Sequence, residues 1–167
     1  FDGKGTLRHK KTPNLKGSFT EFLAVTGACL AIRKDLYHKL EGLDERYENG
    51  CEDIDLCFKA KEVGLKTIVA NESTINHYVS STRGINNLCN ESNMRLFQIK
   101  WRSQISTAMA RTWPAAYLQG IIDGSESVSL EKVGEAVSHF FLKKKLPPSG
   151  KLIVEAKLKR NERHWMS

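Results

Sequence analysis

The hydrophobic and polar positions of this chain divide it in two: strands and helices mixed at first, then helices alone. β-formers from Phe22 to Ile32, broken by Thr26-Gly27, predict a strand with a close backbone approach at the glycine. Arg33 to Leu40 reads as a short helix, with Glu41-Gly42-Leu43-Asp44 as the turn behind it. From Glu52 to Val63 the residues Ile54, Leu56, Cys57, Phe58, Ala60 and Val63 fit helical spacing, and Gly64 stands where a C-cap is expected. Two short strands follow, Lys66 to Ala70 and roughly Ser73 to His77. Asn90-Glu91-Ser92 reads as a helix start, continuing through Met94, Phe97, Ile99 and Trp101 towards Trp113, where Pro114 should break or kink it. A further helix, Leu130 to Leu142, is expected to bury Val133, Val137 and Phe140-Phe141. Pro147-Pro148-Ser149-Gly150 marks a linker before a basic helix. The change from mixed to helical falls near Gly84 to Asn90, with no internal repeat on either side.

Composition narrows the class. With 167 residues, 40% of them hydrophobic, one ordinary core and an extension are expected. No apolar run approaches a membrane span, and the opening FDGKGTLRHKKTP lacks the apolar centre of a signal peptide. The chain opens at Phe1, in a Gly-, Lys- and Thr-rich connection, which suggests an excised domain or fragment.

The net charge of +7 gathers at the ends: residues 1–17 hold five Lys/Arg against one Asp, and 143–163 hold eight against two Glu. Such tracts suit nucleic acid, an anionic membrane or a sugar-nucleotide diphosphate, or they simply solubilise. Nucleic-acid binding also wants interleaved aromatics, and these tracts have almost none beyond Phe1 and Trp165, so no nucleic-acid partner is expected. Cys29, Cys51, Cys57 and Cys89 form no C-x-x-C pair, so reduced thiols are expected rather than a zinc or redox site, with Cys57 as core filler.

The candidate chemistry sits at Glu52-Asp53-Ile54-Asp55, with His77 farther along the chain. Carboxylates and a histidine brought together can handle a proton and a divalent metal. The plain alternative is that acidic residues begin a helix because the macrodipole favours them there. Asp55 adds like charge, which is costly unless the carboxylates have different jobs or a cation stands nearby. His77 alone is as well read as a packed or surface histidine, and Arg83 as an exposed loop arginine.

From Val25 to Gly84 the chain resembles the acceptor-side half of a family-2, GT-A type glycosyltransferase. Thr26-Gly27-Ala28-Cys29 is similar to the family's T-G-A-C/S strand, Gly42-Leu43-Asp44-Glu45 to its G-F/L-D-E turn, and Glu52-Asp53-Ile54-Asp55-Leu56-Cys57 to its E-D-x-D-L-C/A helix start. Lys66 to Ala70 and His77 match its last strand pair. The resemblance implies an α/β fold: a partial GT-A mixed sheet, nucleotide-diphospho-sugar transferase-like, followed by a helical C-terminal extension. The implied divisions are residues 1–18 as a flexible connection, 19–88 as the C-terminal half of the catalytic domain, 89–146 as the helical extension, and 147–167 as linker and basic helix.

By the same resemblance, Asp53 is the general base and Glu52 shapes the acceptor site. Thr26 and Gly27 line the substrate pocket, Asp55 lies there or supports the loop, and Arg83 meets the donor diphosphate. His77 completes the shell of a divalent Mn2+ or Mg2+ whose other ligands, a D-x-D pair, belong to an N-terminal half not in this sequence. Phe97-Gln98-Ile99-Lys100-Trp101 resembles the F-x-x-K-W helix that follows such domains, and it lacks the Q-x-x-R-W of processive synthases. The implied activity is inverting transfer of a sugar from a nucleotide-diphosphate donor to a hydroxyl acceptor, a saccharide or lipid-linked saccharide. The implied setting is bacterial glycan synthesis in the cytoplasm, at the inner face of the membrane. A non-catalytic glycan- or protein-binding module on the same fold is the alternative.

Overall fold

The computed structural model describes residues 17–76, 88–142, 158–160 and 162–163, without the side chains of 88–90, 110 and 140–142. They fall into two compact units, one of residues 11–100 and one that holds everything from Trp101 onward. The elements are β1 (Phe19–Phe22), a 3-10 turn (Gly27–Cys29), α1 (Lys34–Lys39), α2 (Glu52–Glu62), β2 (Thr67–Ala70), α3 (Leu88–Ile122) and α4 (Leu130–Leu142). The described residues are therefore mixed α/β, with helix predominating.

In the first unit, β1 and β2 form a two-stranded antiparallel sheet, in register from Phe19 opposite Ala70 to Phe22 opposite Thr67. The strand expected over Phe22–Ile32 is displaced to Phe19–Phe22. Its partner explains why: beyond Thr67 the chain is already committed to ending α2. There the Leu65 amide donates to the Ala60 carbonyl and the Gly64 amide to that of Lys61, with Gly64 at φ +79°. This paired geometry needs a residue without a Cβ penalty in the left-handed region, and the glycine supplies it.

The strand expected over Ser73 to His77 is not formed in residues 73–76, and His77 lies outside the described residues. The chain turns instead after β2. The Ser73 amide donates back to Ala70, and the Asn71 side-chain amide donates to the Gly17 carbonyl and the Thr20 hydroxyl.

α2 buries Leu56, Cys57 and Phe58, while Val63, expected on the same apolar side, is exposed at the C-cap. The Phe58 ring meets Phe97 of α3 edge-on, with centroids 5.1 Å apart. α1 ends in a turn through Glu41 and Gly42, both at φ +61°. Gly42 has a second constraint: a Cβ there would stand 3.0 Å from the Tyr37 ring.

α3 carries a run of buried residues spaced by four: Asn93, Phe97, Trp101, Ile105, Met109, Trp113 and Tyr117. The helix is not continuous, because Trp101 adopts φ −110° and ψ 19° and kinks it. The expected break at Pro114 is not there; helix runs through it to Ile122. A proline inside a helix costs about 3 kcal/mol. Here Pro114 is fully buried, and Trp113 and Tyr117 stack at 5.4 Å across it.

In the second unit, Trp113, Tyr117 and Ala136 form a buried cluster with Val133 of α4 packed against it. The Tyr117 hydroxyl donates to the Ser127 carbonyl and accepts from the Ser129 amide, fixing the turn into α4. Val137, expected in the core, is exposed, and the side chains of Phe140 and Phe141 lie outside the described residues.

Candidate functional site

Asp53 stands at the start of α2, in a first turn that also holds Glu52 and Asp55. Entry into the helix is unusual: Asn49 and Cys51 have φ +57° and +74°, and Gly50 has φ +157°. Cys51, the N-cap, offers no side-chain hydrogen bond that caps the helix. Asp53 serves the helix end instead, its Oδ1 accepting from the Ile54 amide at 2.8 Å. Its Oδ2 accepts from the Gly27 amide at 2.6 Å, across 26 positions of sequence.

That bond explains the 3-10 turn at Gly27–Cys29, where the chain bends to aim an amide at the carboxylate. Thr26 caps the turn, its Oγ1 accepting from the Ala28 amide at 3.4 Å. A Cβ on Gly27 would stand 3.1 Å from the Asp53 Cβ, so the glycine permits the approach. Thr26 and Gly27 are exposed, and Asp53 is half-buried. Beside it, Glu52 Oε2 is buried without a hydrogen-bond partner. A buried acceptor left unsatisfied costs about 1–3 kcal/mol.

Asp55 has another role. It is completely buried, and its side chain is held by the loop and by α3. The Lys100 Nζ lies 2.8 Å from its Oδ1 and 3.0 Å from its Oδ2. The Tyr47 hydroxyl donates to it at 3.2 Å, and the Lys59 Nζ stands 3.5 Å away. Lys100 also reaches Asp44 at 2.9 Å, and Arg46 grips Asp44 with two donors.

The network sets the protonation states of its members. The Arg46 guanidinium, helped by Lys100 against partial burial, holds the Asp44 carboxyl well below the usual carboxylate value. Burial, then the Asp55 charge, pushes the Tyr47 phenol far above its ordinary value, so it stays a neutral donor. Burial works against the Lys100 charge, but the hydrogen bonds it donates to Asp55 and Asp44 outweigh it and raise its pKa.

Over a 62-residue stretch, 37% of this chain, the sequence is 29% identical to the O-antigen biosynthesis protein RfbC of Myxococcus xanthus. A 64-residue stretch is 33% identical to the uncharacterized protein y4gI of Sinorhizobium fredii. The chain spans only 5% and 7% of the length of these two relatives. No family model matches, and neither does any solved structure.

Of the residues expected at the site, the structure brings together Asp53, Glu52, Gly27 and Thr26, and it sends Asp55 inward. His77 and Arg83 lie outside the described residues. Among the described residues no three His, Cys, Asp or Glu side chains converge to hold a metal ion. Cys29, Cys51 and Cys57 are not in disulfides, and Cys57 is buried. No helix of the described residues is long and apolar enough to cross a membrane.

Sequence reasoning missed Tyr47, Asn93 and Lys100 as partners of this loop. A signal was present for one of them. Lys100 sits between Phe97 and Trp101 on a buried stretch of helix, where an ammonium needs a carboxylate.

Proposed function

We propose that residues 19–88 form the acceptor side of an inverting glycosyltransferase that moves a sugar from a nucleotide-diphosphate donor to a hydroxyl acceptor in polysaccharide or glycan synthesis. The observation that carries this reading is the Asp53 carboxylate, anchored by the Gly27 amide at an exposed turn beside the unpartnered oxygen of Glu52. The similarity to a protein named for O-antigen biosynthesis supports the same reading.

A carboxylate has about four lone-pair directions, so two amide donors leave Asp53 able to accept a third proton. In the proposed step, Asp53 takes the proton of the acceptor hydroxyl. The acceptor oxygen then bonds to the anomeric carbon as the bond to the diphosphate oxygen breaks, and the electron pair leaves with the diphosphate. Glu52 shapes the acceptor site beside it, the role that the resemblance implies. Thr26 and Gly27 form the floor of this acceptor subsite. A GT-A fold, donor contact through Arg83 and a divalent ion at His77 belong to the proposal through the resemblance alone. So does peripheral contact of the basic segment 143–163 with anionic membrane on the cytoplasmic side.

The test is Asp53→Asn in the full protein. Transfer to acceptor should fall by about 10²-fold or more, the usual scale for losing a general base, with donor affinity retained. Near-normal turnover would refute the assignment. Saccharide binding without transfer in the unaltered protein would favour a binding module.

A further inference from the structure

Asp53 points at Gly27 only if the loop before it holds its shape, and that loop, residues 44–51, takes left-handed backbone at Asn49 and Cys51 immediately ahead of Glu52. Such conformations persist where surroundings over-determine them. Here the surroundings are one stretch of α3. Asn93, buried and only 2% exposed, donates from Nδ2 to the Glu48 carbonyl at 2.9 Å and accepts at Oδ1 from the Glu48 amide at 3.0 Å. Two turns later Lys100 joins Asp44 at the start of the loop to Asp55 after it. Phe97 stands between them and packs on Phe58 of α2. The helix therefore grips the loop at its beginning, middle and end, from positions 93, 97 and 100, which share one helical face.

We infer that residues 93–100 of α3 are the positioning scaffold of the Glu52–Asp53 carboxylates, with Asn93 and Lys100 as positioning residues for the proposed base. The inference rests on the reading of Asp53 given above. Neither residue touches a reacting atom. Each fixes the loop whose geometry sets the Asp53–Gly27 bond. A merely structural lysine would lower stability without singling out that bond.

The experiment compares Lys100→Met, Asn93→Asp, Lys100→Arg and the buried control Leu40→Ala, which lies outside the clamp. Two quantities are read in the full protein: hydrogen exchange at the Gly27 amide, and the separate kcat and KM for acceptor. Exchange at Gly27 should rise by about tenfold or more in Lys100→Met and Asn93→Asp under native conditions, beyond that in Leu40→Ala at matched global stability. kcat should fall by at least about tenfold with acceptor KM within about twofold, as displacement of a reacting group predicts. Lys100→Arg, which keeps the charge between the two aspartates, should restore both.

Asn93→Asp keeps one of the two bonds to Glu48, so it carries the same expectation should Lys100→Met fail to fold. Gly27 exchange that merely follows global stability, as in Leu40→Ala, overturns the inference. Raised exchange with unchanged kcat also overturns it and refutes the catalytic reading of Asp53. That outcome is separable from loss of the clamp itself, which the exchange reports alone.

Discussion

Asp55→Asn is the sharpest test of how the first unit is held together. The substitution keeps size and one acceptor oxygen for Tyr47, but it removes the charge that faces Lys100 at 2.8 Å and Lys59 at 3.5 Å. It also turns an NH2 group towards ammonium donors. Breaking a buried ion pair by removing one partner costs about 3–5 kcal/mol. Lys100 keeps Asp44 and is 25% exposed, so part of that cost is recovered through Asp44 and solvent. About 2–3 kcal/mol is therefore the expectation, at or just below the low end of the buried range. With a urea m-value of roughly 1–3 kcal/mol per molar, the unfolding midpoint should fall by about 0.7–3 M. Tryptophan fluorescence with circular dichroism at neutral pH would follow it.

A control separates charge burial from packing. In Asp55→Leu combined with Lys100→Met, neither charge is left uncompensated by the other, and much of the lost stability should return. A midpoint drop below about 0.3 M for Asp55→Asn, within the error of such extrapolations, would refute the account. The desolvation cost of the network would then cancel its attraction.

Other expectations follow from the same geometry. The Asp44 pKa is lowered on folding, so its contribution is present above about pH 4 and lost as pH falls through the folded value. The Tyr47 and Lys100 values are raised, so theirs is complete below pH 10.0, the ordinary tyrosine value, and lost as pH climbs beyond it. Urea midpoints taken across pH should show both flanks, with a shallower alkaline flank in Tyr47→Phe; an unchanged alkaline flank in that variant would contradict the assignment. Phe58→Ala, at a site 1% exposed and edge-on to Phe97, should cost about 3–5 kcal/mol in the same assay. Gly27→Ala should leave stability within about 1 kcal/mol while displacing Asp53 and lowering transfer in the full protein, since the new Cβ falls 3.1 Å from the Asp53 Cβ. Unaltered transfer would count against the Gly27 contact.

α2 was legible in the sequence because its period and its closing Gly64 are local signals, and local signals decide helix ends. The turn at Gly27 was not, since its cause is a hydrogen bond to a carboxylate far along the chain. β1 was misplaced for a related reason: a strand ends where its partner ends, and the β-formers beyond Phe22 have none. Pro114 carried a real cost that buried aromatics on either side offset, while the kink fell at Trp101, where no residue type marks it.

At the site, Glu52-Asp53-Ile54-Asp55 looked like one cluster. Yet successive helical residues turn by about 100°, which sets Asp53 and Asp55 roughly 200° apart. Once Asp53 faces Gly27, Asp55 must face inward. That division was implicit in the spacing. The partners of Asp55, Tyr47 and Lys100, come from beyond the helix and needed the fold.

The complete burial of Asp55 has a consequence for ionic strength. Exposed pairs such as Arg33–Asp35 and Lys66–Glu21 lie in water, where a Debye length of about 3 Å at molar salt erases them. No counterion can enter between Asp55 and Lys100 without the side chains first parting. The loop ahead of Asp53 is thus held in part by a carboxylate, Asp55, that the bulk electrolyte does not reach. Its shape is set by the chain, and the surrounding medium has little leverage over it.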